Sequence, residues 1–244
     1  MDDSLGSARR SMVFALSLLA GCVDAICYLA LANVFTSHLS GNTAALGAIT
    51  GAGHWRSVLR RGLMIPLFFV GIVIGAILSD FAAHNKARAP FTLALALETL
   101  LLAGLAWLGA GLHFKPSPDP AGHWRFVAAL AAAVVAMGIQ SATIRRAAGN
   151  TVHTTFVTGA FTSAVEAAIA LALERIFRWP TSDVDRRNRW TQLQLQGGVY
   201  LLFLTGALVG GAVEMRFGLR GLYGPAALLA VVAVVDWFRP LSHA

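Results

Sequence analysis

Near-uncharged apolar runs recur along the chain at about 12–32, 63–83, 91–112, 125–145, 195–215 and 221–238. Each is about twenty residues long, which is what an α-helix needs to cross the roughly 30 Å hydrocarbon core of a bilayer. Two weaker stretches, 33–51 (NVFTSHLSGNTAALGAITG) and 152–173 (VHTTFVTGAFTSAVEAAIALAL), are apolar overall but carry Ser, Thr and Gly near their starts. The pattern predicts an all-α polytopic transmembrane helical bundle with six strong spans plus two broken or re-entrant segments. The whole of 1–244 reads as a single integral membrane domain.

The two weak stretches follow the first and fourth strong spans, and the halves can be laid over each other. Gly21-x-x-Asp24 falls on Gly138-x-x-Ser141; with a one-residue shift, Val34-x-Thr36 falls on Val152-x-Thr154 and Ser40-Gly41 on Thr158-Gly159. Further along, Gly71-x-x-x-Gly75 matches Gly206-x-x-x-Gly210, each followed by an acid, Asp80 or Glu214. The expectation is two tandem repeats, about 12–112 and 125–238. Small residues four apart let helices approach closely in lipid, so these faces are also candidates for a homo-oligomer contact. Four crossings per half would make the repeats parallel, whereas three would invert them.

Charge orients the chain. With eight crossings, Arg9, Arg10, Arg56, Arg60, Arg61, Lys115, Arg125, Arg175, Arg178, Arg186, Arg187, Arg189 and Arg239 lie on one side, 13 of the 19 basic residues; six crossings give 12 against 7. Either way the positive-inside tendency puts both termini and the Arg-rich stretch 174–190 in the cytoplasm. Trp55, Trp124, Trp179, Trp190 and Trp237 fall at or just beyond span ends, where an indole prefers the headgroup region.

Composition agrees with this picture and removes others. The 244 residues are 57% hydrophobic and only 13% charged, with mean hydropathy +0.66, against about 25% charged in soluble domains. A soluble enzyme, a disordered chain and a disulfide scaffold are thereby excluded. The net charge of +7 sits in short loops between spans, so no nucleic-acid partner is expected. Cys22 and Cys27 are five positions apart, about 140° around a helix, which fits neither a disulfide nor a metal pair. Arg9-Arg10 and Leu19-Ala20-Gly21-Cys22 imitate a twin-arginine signal and a lipobox, but cleavage before Cys22 would strand about nine apolar residues, too few to span. The first run is therefore expected to stay whole. There is no His-Glu-x-x-His, Gly-x-Ser-x-Gly, Walker loop or cysteine cluster, so neither an enzyme nor a cofactor is expected.

A charge inside a span costs several kcal/mol and normally faces the protein interior or a water-filled cavity. Asp24 shares a helical face with Ser17, Gly21 and Tyr28 and should face another helix, either as a transport group or as hydrogen-bonded packing. Glu98 stands in a Leu/Ala-rich span with Thr92 and Thr99 as its polar neighbours, and Glu166 lies near the end of its segment. The broken stretches carry the remaining candidates: Thr36, His38, Ser40, Gly41 and Asn42 in the first, Thr154, Thr158 and Gly159 in the second, with Gln140 and Ser141 on the preceding span. Hydroxyls and Asn favour helix N-caps and Gly loosens the backbone, so half-helices are expected to start near Ser40–Asn42 and near Thr158. Backbone groups exposed at membrane depth are tolerated only where they are buried in protein or line a cavity. Two breaks at matching positions therefore point to a central site whose half-helix N-termini face an anion or polar solute; ordinary Ser/Thr-rich turns between packed helices are the alternative.

Gly21-x-x-Asp24, Val34-Phe35, Ser40-Gly41-Asn42, Gly138-x-Gln140 and Thr154-x-x-Val157-Thr158-Gly159 together resemble the YoaK-like family of bacterial inner-membrane proteins, over about residues 12–238. That family's usual Thr-Gly-Asn is Ser40-Gly41-Asn42 here, which keeps a hydroxyl; in the second half Ala160 follows Gly159 where Asn is commoner. The resemblance implies a multi-pass bacterial cytoplasmic-membrane protein of about six spans and supplies no substrate. The leading expectation is a small secondary transporter or permease for an unidentified solute or ion. The alternative is a non-transporting scaffold or accessory subunit docking through its glycine faces and Arg-rich stretch.

Overall fold

The computed structural model describes residues 6–31, 33–53, 55–85, 89–109, 124–147 and 157–239, with all side chains among them except those of residues 56, 57, 59 and 60. Helices run Ser7–Ala30 (α1), Leu39–Gly51 (α2), Trp55–Gly62 (α3), Met64–His84 (α4), Thr92–Gly109 (α5), Trp124–Ala147 (α6), Val157–Phe177 (α7), Asp183–Phe217 (α8) and Tyr223–Phe238 (α9), with a 3-10 turn over Gly218–Leu222. The half-helices begin within a residue or two of the positions expected from Ser40 and Thr158. The Arg-rich stretch 174–190 is mostly helical: α7 runs on to Phe177, and α8 starts at Asp183 because the Ser182 hydroxyl accepts from the Asp185 N–H at 3.0 Å.

Glycine packing sets the helix directions. Gly21 of α1 abuts the backbone of Phe203 and Ala207 in α8, while Gly206 and Gly210 abut Leu18 and Cys22. Numbers rise together on the two helices, so α1 and α8 are parallel. Gly71 and Gly75 of α4 likewise meet Val135, Gly138 and Ile139 of α6, and Arg146 then pairs with Asp80, so α4 and α6 are parallel as well. A Cβ at Gly21, Gly71, Gly138 or Gly206 would overlap a neighbouring carbonyl oxygen, so these contacts require glycine. Both Gly-x-x-x-Gly faces are thus occupied within the chain. Helices α5 and α9 are antiparallel: Thr92, which begins α5, donates to Asp236 near the end of α9 at 2.8 Å, and Gly109, which ends α5, abuts Leu219 just before α9.

These contacts decide the path of the chain. Gly221 folds back onto Val213 and Ile26, so α9 returns antiparallel to α8. Arg61 donates to the Asn33 carbonyl at 3.1 Å, which places α3, and hence the start of α4, beside the C-terminal end of α1. Helices α1, α5 and α8 therefore run one way and α4, α6 and α9 the other. The α2–α3 and α7 segments each return to the side they left. By length and hydropathy alone α7 is long enough to cross and 183–238 counts as one stretch. The register makes α7 a part-way segment and splits 183–238 into two crossings.

Helices α1 and α6 form the centre, with Leu16, Val23, Ile26, Phe126, Leu130 and Met137 buried. The outer helices present Phe69, Ile77, Phe81, Leu201, Leu208 and Val231 outward. Such faces are unfavourable in water and natural against acyl chains, while the helices satisfy their own backbone groups.

Candidate functional site

After α1 ends, the chain turns through Asn33, whose φ of 58° suits an Asn, and its N–H donates to the Tyr28 carbonyl. Residues 34–38 then run back along α1 toward its middle. Asp24 draws them in. Its Oδ1 accepts from the Thr36 N–H at 2.7 Å, the Thr36 hydroxyl at 2.9 Å and the Ser37 N–H at 3.0 Å. Its Oδ2 accepts from the Ser37 hydroxyl at 2.9 Å and lies 2.5 Å from His38 Nδ1. Asn42, in the first turn of α2, closes a second clamp: Nδ2 donates to the Phe35 carbonyl at 2.6 Å and Oδ1 accepts from the Phe35 N–H at 3.2 Å. Phe35 in turn stacks on Tyr28 at 4.4 Å.

Asp24 is 3% exposed, and its neighbours satisfy it completely. Hydrogen bonds to a charged group contribute about 1.5–3 kcal/mol each, so the carboxylate is the principal restraint on this extended link. The expected polar stripe of α1 is spent the same way: the Ser17 hydroxyl donates to its own helix at Val13, and Gly21 is covered by α8. His38 is the outlying member, with 24% of its side chain exposed and its ring edge-on to Phe203 of α8 at 5.3 Å. It occupies the N-cap position of α2 without making a side-chain cap bond.

Helix α7 starts at a related depth. Phe161 lies against Tyr200 at 4.8 Å, the Gly197 position faces Ala164, and Glu174 lies 3.9 Å from Arg186 and 3.7 Å from Arg189. That antiparallel register puts Val157 level with about Leu204, one residue from the Phe203 that touches His38. Two helix N-termini therefore lie at one depth, and their helices run toward opposite faces.

A family model described as "Protein of unknown function (DUF1275)" matches residues 12–235. The chain belongs to that family. It is 28% identical over 158 residues to the "UPF0700 transmembrane protein YoaK" of Bacillus subtilis (strain 168), an alignment covering 65% of this chain and 66% of that protein. No solved structure matches. The YoaK-like resemblance, and with it a multi-pass membrane protein, stands on these matches.

Of the candidate residues in this DUF1275 chain, Asp24, Thr36, His38 and Asn42 are drawn into one cluster. Ser40 and Gly41 form the exposed and half-buried first turn of α2. Thr158 and Gly159 are exposed in the first turn of α7, and Thr154 lies outside the described residues. Among the described residues, Gln140 is 1% exposed with neither amide atom partnered, Ser141 is half-buried, and Glu98 is fully buried with both oxygens unpartnered. Glu166 is exposed on α7. Sequence reasoning passed over Ser37, which makes two bonds to Asp24, although it lay between two named residues. It also passed over Phe203, which carries no polar signal, and over Asp236, a fully buried acid inside the last span. Two apolar clefts lie elsewhere: one of 390 Å³ between α5 and α9 and one of 260 Å³ between α1, α8 and α9.

Proposed function

We propose that this protein is a small secondary transporter built from two inverted repeats, about 12–112 and 125–238, for a small polar solute carrying a hydrogen-bond acceptor. The observation that carries the reading is the pair of part-way helices, α2 and α7, which begin level with Phe203 and Leu204 of α8 and run toward opposite faces. Discontinuous helices at matching repeat positions are how transporters place unpaired backbone N–H groups and positive dipole ends at mid-membrane. The packing supports the inversion: α1 lies on α8 as its counterpart α6 lies on α4, and α5 meets its counterpart α9 antiparallel. In α2 the first helical bond comes from the Asn42 N–H to His38, so Leu39, Ser40 and Gly41 offer the donors. Thr158 and Gly159 form the facing half of the site.

In this reading the termini are cytoplasmic. Arg9, Arg10, Arg145, Arg146, Arg175, Arg178 and the α8 arginines 186, 187 and 189 share a side with the start of α1, opposite Arg61, Arg125, Arg216 and Arg220. The saturation of Asp24 favours the second reading, a non-transporting scaffold, because a pinned break needs no solute. The deciding experiment is a thermal-stability screen of purified protein against organic acids, amino acids, nucleosides, sugars and inorganic anions, followed by uptake of any stabilising compound into proteoliposomes. A shift of several degrees with matching uptake supports transport. A flat panel leaves the scaffold.

A further inference from the structure

Glu98 is the polar group that the packing leaves without an explanation. It is 0% exposed, in the middle of α5, and neither Oε1 nor Oε2 has a hydrogen-bond partner among the described residues. Two other buried side chains share that condition among the described residues: Gln140 on α6, with both amide atoms unpartnered, and Ser79 on α4, whose hydroxyl is unpartnered at 2% exposure. Their depths agree. Ser79 lies five residues before the end of α4, Glu98 six after the start of α5 and Gln140 seven before the end of α6. All three of those helix ends are on one face of the bundle, so the three groups stand about 8–10 Å in from it at 1.5 Å per residue.

The charged and titratable groups on the elements packed against α5 are committed elsewhere or confined to helix ends. On α4, Asp80 is paired with Arg146 of α6, and His84 is in the last turn. On α6, Arg125 lies over the Trp124 ring and Arg145 is in the last turn. On α9, Asp236 accepts from Thr92 and Tyr223 opens the helix, while Arg220 belongs to the 3-10 turn. A carboxylate anion with no donors in such an interior is far more costly than the neutral acid. Asp24 presents the opposite case, an anion with every lone pair engaged.

We propose that Glu98 is a buried proton-binding site: its carboxyl carries a proton in the packed state seen here and releases it to water when α5 and α6 part. The O–H bond breaks, water accepts the proton, and water hydrogen-bonds to the carboxylate left behind. This rests on the transporter reading for its purpose, as the site of proton coupling, though not for its chemistry. Asp24 then holds the solute-side break in shape and takes no part in proton transfer.

Infrared difference spectroscopy of the intact protein in proteoliposomes tests this, with pH stepped from acid to alkaline in H2O and D2O. The expected result is a protonated-carboxyl C=O band that shifts in D2O, fades at alkaline pH, disappears in Glu98→Gln, and persists at a shifted position in Glu98→Asp. It should survive in Asp24→Asn. A band absent from the parent, unchanged by Glu98→Gln, or immune to both pH and D2O would overturn the proposal; the last outcome would mark a locked structural acid. A flat solute screen with the Glu98 band titrating would sink the transporter reading alone. Proton-coupled uptake persisting in Glu98→Gln would sink the Glu98 assignment alone.

Discussion

Asp24→Asn separates a structural pin from a working group. The amide oxygen can take the place of Oδ1 and keep the Thr36 N–H, Thr36 hydroxyl and Ser37 N–H as donors. The amide nitrogen then stands where Oδ2 was, facing the Ser37 hydroxyl, which can rotate to accept, and His38 Nδ1, which accepts only in the tautomer protonated at Nε2. What is lost is mainly charge. A hydrogen bond to an ion contributes about 1.5–3 kcal/mol and a neutral one about 0.5–1.5, so five contacts lose about 1 kcal/mol each. Relief of the buried charge's desolvation returns part of that, leaving a net loss of about 2–3 kcal/mol. For a chain of this size that is a fall in Tm of about 5–10 °C. Asp24→Ala should fall further, because the Thr36 and Ser37 N–H groups would be left unsatisfied at about 1–3 kcal/mol each. Cys22 and Cys27 are both buried free thiols, so a thiol-reactive fluorophore reports unfolding without any added label. Should Asp24→Asn melt within a degree or so of the parent while abolishing every solute response, Asp24 is a functional group and the pin is refuted.

The glycine contacts predict a sharp contrast: Gly21→Val or Gly206→Val should abolish monodisperse protein in size-exclusion chromatography, because each Cβ overlaps a backbone carbonyl, whereas Gly47→Ala, with nothing within 4 Å, should leave it unchanged. Single cysteines introduced at positions 57 and 183 should label from opposite sides of sealed vesicles, since α3 adjoins the C-terminal end of α1 and α8 starts at the other face; labelling from one side would contradict the helix directions. Gly41→Val should weaken solute-induced stabilisation more than Gly47→Val: a Cβ at Gly41 lies 3.5 Å from the Phe35 ring in the first turn of α2, and equal effects would remove α2 from the site.

Much of the fold was legible because lipid makes the rules strict. A span must be apolar for about twenty residues, and a break must be protected, so six runs and two Ser/Thr-Gly interruptions were readable as such. The number of crossings was not. Basic residues divide 13 to 6 or 12 to 7 in the two arrangements, too close to choose, because arginines flank both faces. Contacts between residues far apart in sequence fix the relative directions of the helices instead: Thr92 with Asp236, Arg61 with Asn33, and the two glycine seams. The helicity of the Arg-rich stretch has a local cause. Its polarity resembles a loop, yet the Ser182 cap and first-turn Asp183 and Asp185 start a 35-residue helix whose first turns lie beyond the apolar run.

The two buried carboxylates show where one-dimensional reasoning stops. From sequence, Asp24 stands open between a transport group and hydrogen-bonded packing, because it sits before a polar break, while Glu98 sits among leucines and alanines. In space the two differ, because what distinguishes an anchored anion from a labile acid is the number of donors within reach. That number depends on which way the following chain turns. After Asp24 the chain doubles back and delivers Thr36, Ser37 and His38, twelve to fourteen residues on, directly to the carboxylate. After Glu98 the helix simply continues, and no donor among the described residues reaches either oxygen. A polar break beside an acid is therefore a sign of anchoring where the break can fold back on it, and the acid without a break is the one whose charge has no home while the helices stay packed.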